Sequence, residues 1–216
     1  MTYEDQSVEA RKRRETADLR AELESKSTEE LFLATLDGEY DDDSPWEAVH
    51  VLQGRGIPEV FEVAKRFCAS ENPKARARGL SILAQLGAGS PDVERPFMDD
   101  SVSIAVGHIR DSDPEAVRCA AWALSHLGTQ QAVLSLIELR NHWDPEVRQA
   151  VAFCIPLRKH PEAVSVILAL MDDRNEEVRD WATFALGSGS LDEGGGLHYV
   201  DSTEIREAFR KRLGNL

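Results

Sequence analysis

One short sequence pattern recurs along the chain and constrains its fold more than any other feature. The clearest copy, NEEVRDWATFALG at 175–187, begins with a helix-capping residue and continues with apolar residues at helical spacing. Further copies read DPEVRQAVAFCIPL from Asp144, DPEAVRCAAWALSHLG from Asp113, NPKARARGLSILAQLG from Asn72 and SPWEAVHVLQGRG from Ser44. Proline follows four of these five caps, at the first helical position, where its missing N–H is not needed. Self-similarity at a period near 31 residues predicts stacked helical units.

We therefore expect an all-α fold, an α-solenoid in which antiparallel helix pairs form a superhelix. The predicted caps are Ser44, Asn72, Asp113, Asp144 and Asn175. First helices are predicted near 45–54, 73–86, 114–127, 145–157 and 176–186, and second helices near 58–69, 93–109, 130–140, 161–171 and 203–213. Residues 1–36 are interpreted as N-terminal capping helices, and 37–216 as an array of about five helix pairs in one continuous domain. A glycine-rich stretch, 188–201, lengthens the last turn.

The charge of the chain is strongly acidic, with 39 Asp and Glu against 25 Lys and Arg and a formal net charge of −14. Such a field repels nucleic acid and favours a basic partner, although it also serves solubility alone. No apolar run approaches a membrane span, and the first residues lack the apolar core of a secretory signal. Cys68, Cys119 and Cys154 lie among apolar neighbours, which predicts buried thiols in a reducing compartment, the cytoplasm.

The D-P-x-V-R-x-A core at 144–150, with its variant at 113–121, resembles the HEAT repeat in its short bacterial, lyase-related form. VRDWATFALG at 178–187 and VLQGRG at 51–56 are similar to segments of bacterial HEAT-repeat proteins. The resemblance covers residues 28–213. It implies a HEAT-like α-solenoid that binds another protein without catalysis.

Three more specific functions follow from the same resemblance. Some bacterial relatives look like immunity proteins, which implies an inhibitor that holds a basic toxin domain. Other HEAT-like proteins are enzymes, either bilin lyases or DNA glycosylases, and the acidic charge disfavours the glycosylase because it needs a basic groove. A general assembly scaffold is the third alternative.

The resemblance also implies a structural ladder in which the recurrent Asp or Asn and Arg of each repeat support the turns. An arginine fork in the first turn of a helix satisfies carbonyl and carboxylate groups of a neighbouring unit. The predicted ladder residues are Asp113, Arg118, Asp144, Arg148, Asn175 and Arg179.

No catalytic, cofactor-binding or metal-binding residue is predicted. The six histidines show neither an HExxH pattern nor zinc-like spacing to cysteine. The motifs GxSxG, CxxC and the phosphate-binding glycine loop are also missing from the sequence. Carboxylate pairs such as Asp172–Asp173 stand where turns are expected, and helix capping explains them.

An acidic stretch is the candidate docking surface, because eight acids and no Lys or Arg lie between Lys26 and Arg55. A solvated loop is the alternative. The candidate partner-binding residues here are Asp37, Glu39, Tyr40, Asp41, Asp42, Asp43 and Trp46. His142 and Trp143 form a second candidate, because a large aromatic at a turn either anchors a partner or packs on the next helix as a hydrophobic staple. Trp122 and Trp181 are predicted to pack within repeat cores.

Overall fold

The computed structural model describes residues 14, 16–38, 43–88, 95, 97–155, 160 and 162–188. Every regular element in these ranges is helical, which confirms the predicted all-α fold. The chain divides into two compact units, Met1–Met98 and Asp99–Leu216, and each is described by itself.

The first unit contains α1 (16–24) and the helices α2 (Thr28–Ala34), α3 (Asp43–Arg55), α4 (Pro58–Cys68) and α5 (Pro73–Ala84). Helix α2 packs on α3 and α4, and α5 packs on the same two helices. The core of the first unit is made of fully buried apolar side chains such as Phe32, Leu52 and Leu80. Gly56 has a φ of 58°, and a Cβ on it would lie 3.1 Å from the Cα of Gly87, so this turn requires glycine.

The second unit contains α6 (Met98–Gly107), whose first residue lies at the boundary, and then two complete helix pairs. These are α7 (Pro114–Leu127) with α8 (Gln130–Glu138), and α9 (Pro145–Cys154) with α10 (Ala163–Leu170). A short 3₁₀ turn, Leu139–Asn141, follows α8, and α11 (Glu176–Ser188) begins the next repeat. Helix α9 packs between α7 and α11, so three successive first helices lie side by side.

Four of the five predicted helix caps are confirmed. Asn72, Asp113, Asp144 and Asn175 each accept a hydrogen bond from a backbone N–H of the following first turn, at 2.8–3.3 Å. The prediction for Ser44 is wrong, because α3 already begins at Asp43. The Ser-Pro pair at 44–45 lies within the first turn of that helix, where proline is tolerated.

Several boundaries differ from the predictions by a few residues. Helix α5 ends at Ala84, α6 begins at Met98 rather than 93, and α9 ends at Cys154. The predicted second helix at 203–213 and the stretch 189–201 lie outside the described residues. The thiols of Cys68, Cys119 and Cys154 are all buried, as predicted. Among the helices in the described ranges, none combines the length and apolar character needed to cross a membrane.

Candidate protein-binding surface

Arg148 is a buried cation that holds two turns of the second unit together. Its Nη1 donates to the carbonyls of His142 and Trp143, at 2.7 and 3.0 Å, in the turn before its own helix. Its Nε and Nη2 donate to the two carboxylate oxygens of Asp173, at 2.7 and 2.8 Å, in the turn before the next first helix. The side chains of Arg148 and Asp173 are only 4 and 10% exposed. Such a bidentate, desolvated pair fixes the geometry of both turns.

The ion pair changes the protonation of both partners. Hydrogen bonds from Arg148 hold the pKa of Asp173 below its usual value, and the same contact raises the pKa of Arg148. Asp173 Oδ1 also accepts from the backbone N–H of Asn175, at 2.8 Å. Asp173 thus joins the Arg148 side chain to the capped start of α11. The sequence had suggested only a capping role for this residue.

Two further arginines also donate to carbonyls of the turn that precedes their own helix. Arg179 Nη1 donates to the carbonyl of Asp173 at 2.9 Å, and Arg76 Nη1 donates to the carbonyls of Ser70 and Glu71, both at 3.0 Å. In each case the arginine is the fourth residue after the cap and reaches back to the preceding turn. Arg76 was not predicted, although its spacing from Asn72 carries the signal.

Arg118 has a different contact, because its copy of the pattern contains one extra residue between cap and arginine. Its Nη1 donates to Glu146 Oε2 at 3.0 Å, in the first turn of the next first helix. Gln149 Nε2 donates to Glu177 at 2.7 Å in the same way. These contacts link α7 to α9 and α9 to α11.

A second recurring contact lies two residues before each cap. There, Ser70, Asp111, His142 and Asp173 each accept from the backbone N–H of the capping residue, at 2.8–3.2 Å. His142 accepts through Nδ1, which requires an unprotonated nitrogen. Burial lowers the pKa of His142, which favours this neutral form.

Trp143 is exposed to 64% and does not fill the hydrophobic-staple position that the sequence allowed. The residue four positions after the cap, where a staple partner would lie, is Arg148, and its guanidinium is engaged with the turn carbonyls. The ring of Trp143 lies beside that of His142, with centroids 5.5 Å apart.

The described part of the acidic stretch is largely engaged within the first unit. Glu30 completes a capping box with Ser27, and Glu29 pairs with Arg66. Trp46 is half-buried, and the guanidinium carbon of the buried Arg78 lies 5.1 Å from its ring centroid. Asp37 is exposed, whereas Glu39, Tyr40, Asp41 and Asp42 and the side chain of Asp43 lie outside the described residues. Docking by this stretch therefore stays a prediction.

A row of aromatic rings crosses the first helices of the second unit, and we name it the aromatic ridge. It consists of Trp122 on α7, Phe153 on α9, and Trp181 and Phe184 on α11. Successive ring centroids are 4.8, 5.6 and 5.9 Å apart, and the last two contacts are edge-to-face. Trp122 and Phe153 are half-buried.

The end of the ridge is open. Trp181 is 41% and Phe184 61% exposed, so the predicted core position of Trp181 is wrong. Among the α11 side chains that the structure describes, Val178 and Ala182 are completely buried, and Trp181 lies on another face of the helix. Together with Asp180, Trp181 and Phe184 line a largely open surface cavity of about 280 Å³.

The sequence contains a signal for the ridge that the pattern analysis missed. Trp122, Phe153 and Phe184 are each the ninth residue after a cap, so an aromatic recurs at the period of the repeat. Buried core residues and exposed surface residues both recur at that period. Only the packing around α11 shows which of the aromatic residues are exposed. In the described part of the chain, no cluster of three or more His, Cys, Asp or Glu has a metal-binding arrangement.

Comparison with known proteins gives the family of these repeats. Residues 133–193 match the family model for HEAT repeats. The chain is 25% identical over 175 residues to Protein YibA of Escherichia coli K12, in a match that covers 77% of this chain. It spans 57% of the length of that curated relative.

Solved structures agree with this fold. The X-ray structure of E. coli YibA matches with a TM-score of 0.68 at 22% identity, over 91% of this chain and 68% of that one. The S. pombe condensin Cnd3–Cnd2 subcomplex matches with a TM-score of 0.57 at 16% identity, over 70% of this chain and 22% of that one. A designed armadillo repeat protein in complex with the peptide (KR)4 matches with a TM-score of 0.50 at 15% identity, over 86 and 87% of the two chains. HEAT-repeat scaffolds commonly bind proteins, and this chain, with its paired helices, is similar to HEAT repeats over residues 133–193 and to YibA over most of its length.

Proposed function

We propose that this chain is a non-catalytic scaffold that binds a basic protein through the aromatic ridge of its second unit. The observation that carries the proposal is the exposure of Trp181 and Phe184 at the end of a row of contacting rings. Large aromatic side chains dominate the energetics of protein interfaces, because they bury much area at little cost in conformational entropy. A ridge that crosses three helices offers such anchors on a firmly packed support.

Charge supports the choice of a basic partner. Glu176, Glu177 and Asp180 are exposed on α11, and the one arginine of that helix, Arg179, donates to the carbonyl of Asp173. The formal net charge of −14 attracts a cationic partner over a longer range. The designed armadillo neighbour, which shares the helical-repeat fold at low identity, is titled as a complex with a basic peptide.

The finer proposal is that the partner is a toxin domain and that the chain is its immunity-type inhibitor. It rests on the resemblance of the repeats to bacterial HEAT proteins, some of which look like immunity proteins, and on the acidic charge. If a toxin is encoded beside this protein, co-expression should restore growth to cells that express the toxin. Growth that stays arrested with both proteins present would remove the immunity role and leave the binding proposal in place.

The binding proposal is tested with a photo-crosslinking amino acid at position 184, followed by affinity measurement on the purified partner. We expect Phe184→Ser to weaken binding by about 2 kcal/mol or more, roughly thirtyfold, as for an interface anchor. The matched control is Leu134→Ser, which removes an apolar side chain on α8 that is 46% exposed. If Leu134→Ser weakens binding and Phe184→Ser does not, the second helices form the interface instead.

A further inference from the structure

We propose that the cavity at the end of the ridge binds an arginine side chain of the partner. The inference rests on the proposed binding of a basic protein and names the group that this site recognises. Among the described residues, Trp181, Phe184 and the exposed Asp180 line the cavity, and its surface is almost entirely apolar. Its volume of about 280 Å³ is at the lower limit of small-molecule pockets, so it suits a single side chain.

The geometry of the rings favours a cation. The planes of Trp181 and Phe184 are nearly perpendicular, at 88°, with centroids 5.9 Å apart. Because the two rings are perpendicular, they form two adjacent sides of the cavity. A cation against the face of either ring is attracted by the quadrupole of that ring, most strongly at tryptophan. Phe153 packs against Trp181 from the neighbouring helix, in an edge-to-face contact with ring centroids 5.6 Å apart.

The exposed carboxylate of Asp180, adjacent to Trp181 in the sequence, favours arginine over lysine. A guanidinium is planar and stacks on an aromatic face while its N–H groups remain available to a carboxylate, whereas an ammonium is compact and strongly hydrated. The first unit of this chain contains the same kind of contact, since the Arg78 guanidinium lies 5.1 Å from the Trp46 ring centroid. On the same helix, the exposed Glu176 and Glu177 supply a favourable field.

The test uses two synthetic peptides, octa-arginine and octa-lysine, which have the same length and charge. Each is titrated into the full chain while tryptophan fluorescence and isothermal calorimetry are recorded. We expect octa-arginine to bind more tightly than octa-lysine. Trp181→Leu and Asp180→Asn should each weaken octa-arginine binding roughly fivefold to tenfold.

A matched control separates the cavity from bulk charge. Glu62→Gln removes one exposed carboxylate from α4 and changes the net charge as Asp180→Asn does. Equal weakening by both charge variants, unchanged binding in Trp181→Leu, or equal affinity for the two peptides would each overturn the inference. Circular dichroism of every variant confirms that the helices are intact.

The arginine site and the proposed function fail in different ways. If Phe184→Ser abolishes partner binding while Asp180→Asn and the peptides show no effect, the ridge binds a partner without this arginine pocket. If octa-arginine binds as expected but no partner depends on Phe184, the pocket exists and the proposed interface is wrong.

Discussion

His142 occupies a position that three other repeats give to Ser70, Asp111 or Asp173. All four residues accept a hydrogen bond from the backbone N–H of the following cap. Serine and aspartate keep this acceptor at neutral and mildly acidic pH, whereas a histidine loses it on protonation. The turn at 142–144 is therefore the one of these four turns in which a histidine titration acts directly on the capping contact.

This difference predicts a pH dependence of stability. The pKa of His142 is lowered in the folded chain, mainly by burial, so its contribution is fully present above the unfolded value of about 6.5 and is lost as the pH falls through the folded value. The loss should be about 0.5 kcal/mol or less, because the ring is partly exposed. Urea unfolding at pH 7 and pH 5 measures it.

The matched variant is His142→Asn, which supplies an acceptor oxygen that does not titrate. We expect its free energy of unfolding to change less between the two pH values than that of the parent chain. An identical pH dependence in both proteins would show that other groups dominate this range.

At the scale of helices and turns, Arg148 connects the entrance of α9 to the entrance of α11. Breaking a buried ion pair leaves its partner desolvated and uncompensated. Arg148→Ala should therefore lower the free energy of unfolding by about 3 kcal/mol or more. The unfolding midpoint in urea is the measurement.

The control for this prediction is Arg110→Ala. The Arg110 side chain is 84% exposed and pairs with Glu138 at 3.3 Å, so its loss should change stability by about 0.5 kcal/mol or less. Equal midpoints for the two variants would mean that the turns do not depend on Arg148. A further variant, Arg148→Lys, tests geometry, since lysine keeps the charge without the planar fork.

The helices and caps could be predicted because they depend on local chemistry. Cap identity, proline at the first helical position and apolar spacing are properties of short segments, and they correctly placed four caps. The partner of Arg148 could not be predicted, because Asp173 lies 25 residues away. The same limit applies to Trp181, since its spacing fits a core position and only the arrangement of α9 and α11 leaves it exposed.

On the scale of the whole molecule, several of the described arginines are withdrawn from the surface, whereas Arg20, Arg66, Arg110 and Arg174 are exposed. Arg78 and Arg148 are buried, and Arg55, Arg76, Arg118 and Arg179 are half-buried with donor contacts to carbonyl, hydroxyl or carboxylate groups. Exposed carboxylates, such as those of Glu176, Glu177 and Asp180, contribute to the net charge of −14 that attracts a basic partner. Long-range attraction of this kind acts mainly on the association rate.

The acidic stretch is the place to test this attraction. Replacing Asp41, Asp42 and Asp43 together by lysine should slow association with the purified partner by roughly tenfold at low salt and reduce its salt dependence. Stopped-flow association across a salt series measures both effects. By contrast, Phe184→Ser should act on the dissociation rate. Unchanged association in the triple variant would leave the stretch with a role in solubility only.

The arginine that reaches back to its own turn also constrains how the gene could gain or lose repeats. Arg148 and the two carbonyls that it satisfies, in His142 and Trp143, lie within seven consecutive residues. A duplication that copies such a segment intact copies both the turn and the arginine that donates hydrogen bonds to its carbonyls. A crossover between codons 143 and 148 would instead separate the turn from its arginine, and the resulting protein should fold poorly. Viable recombination points should therefore fall elsewhere in the repeat.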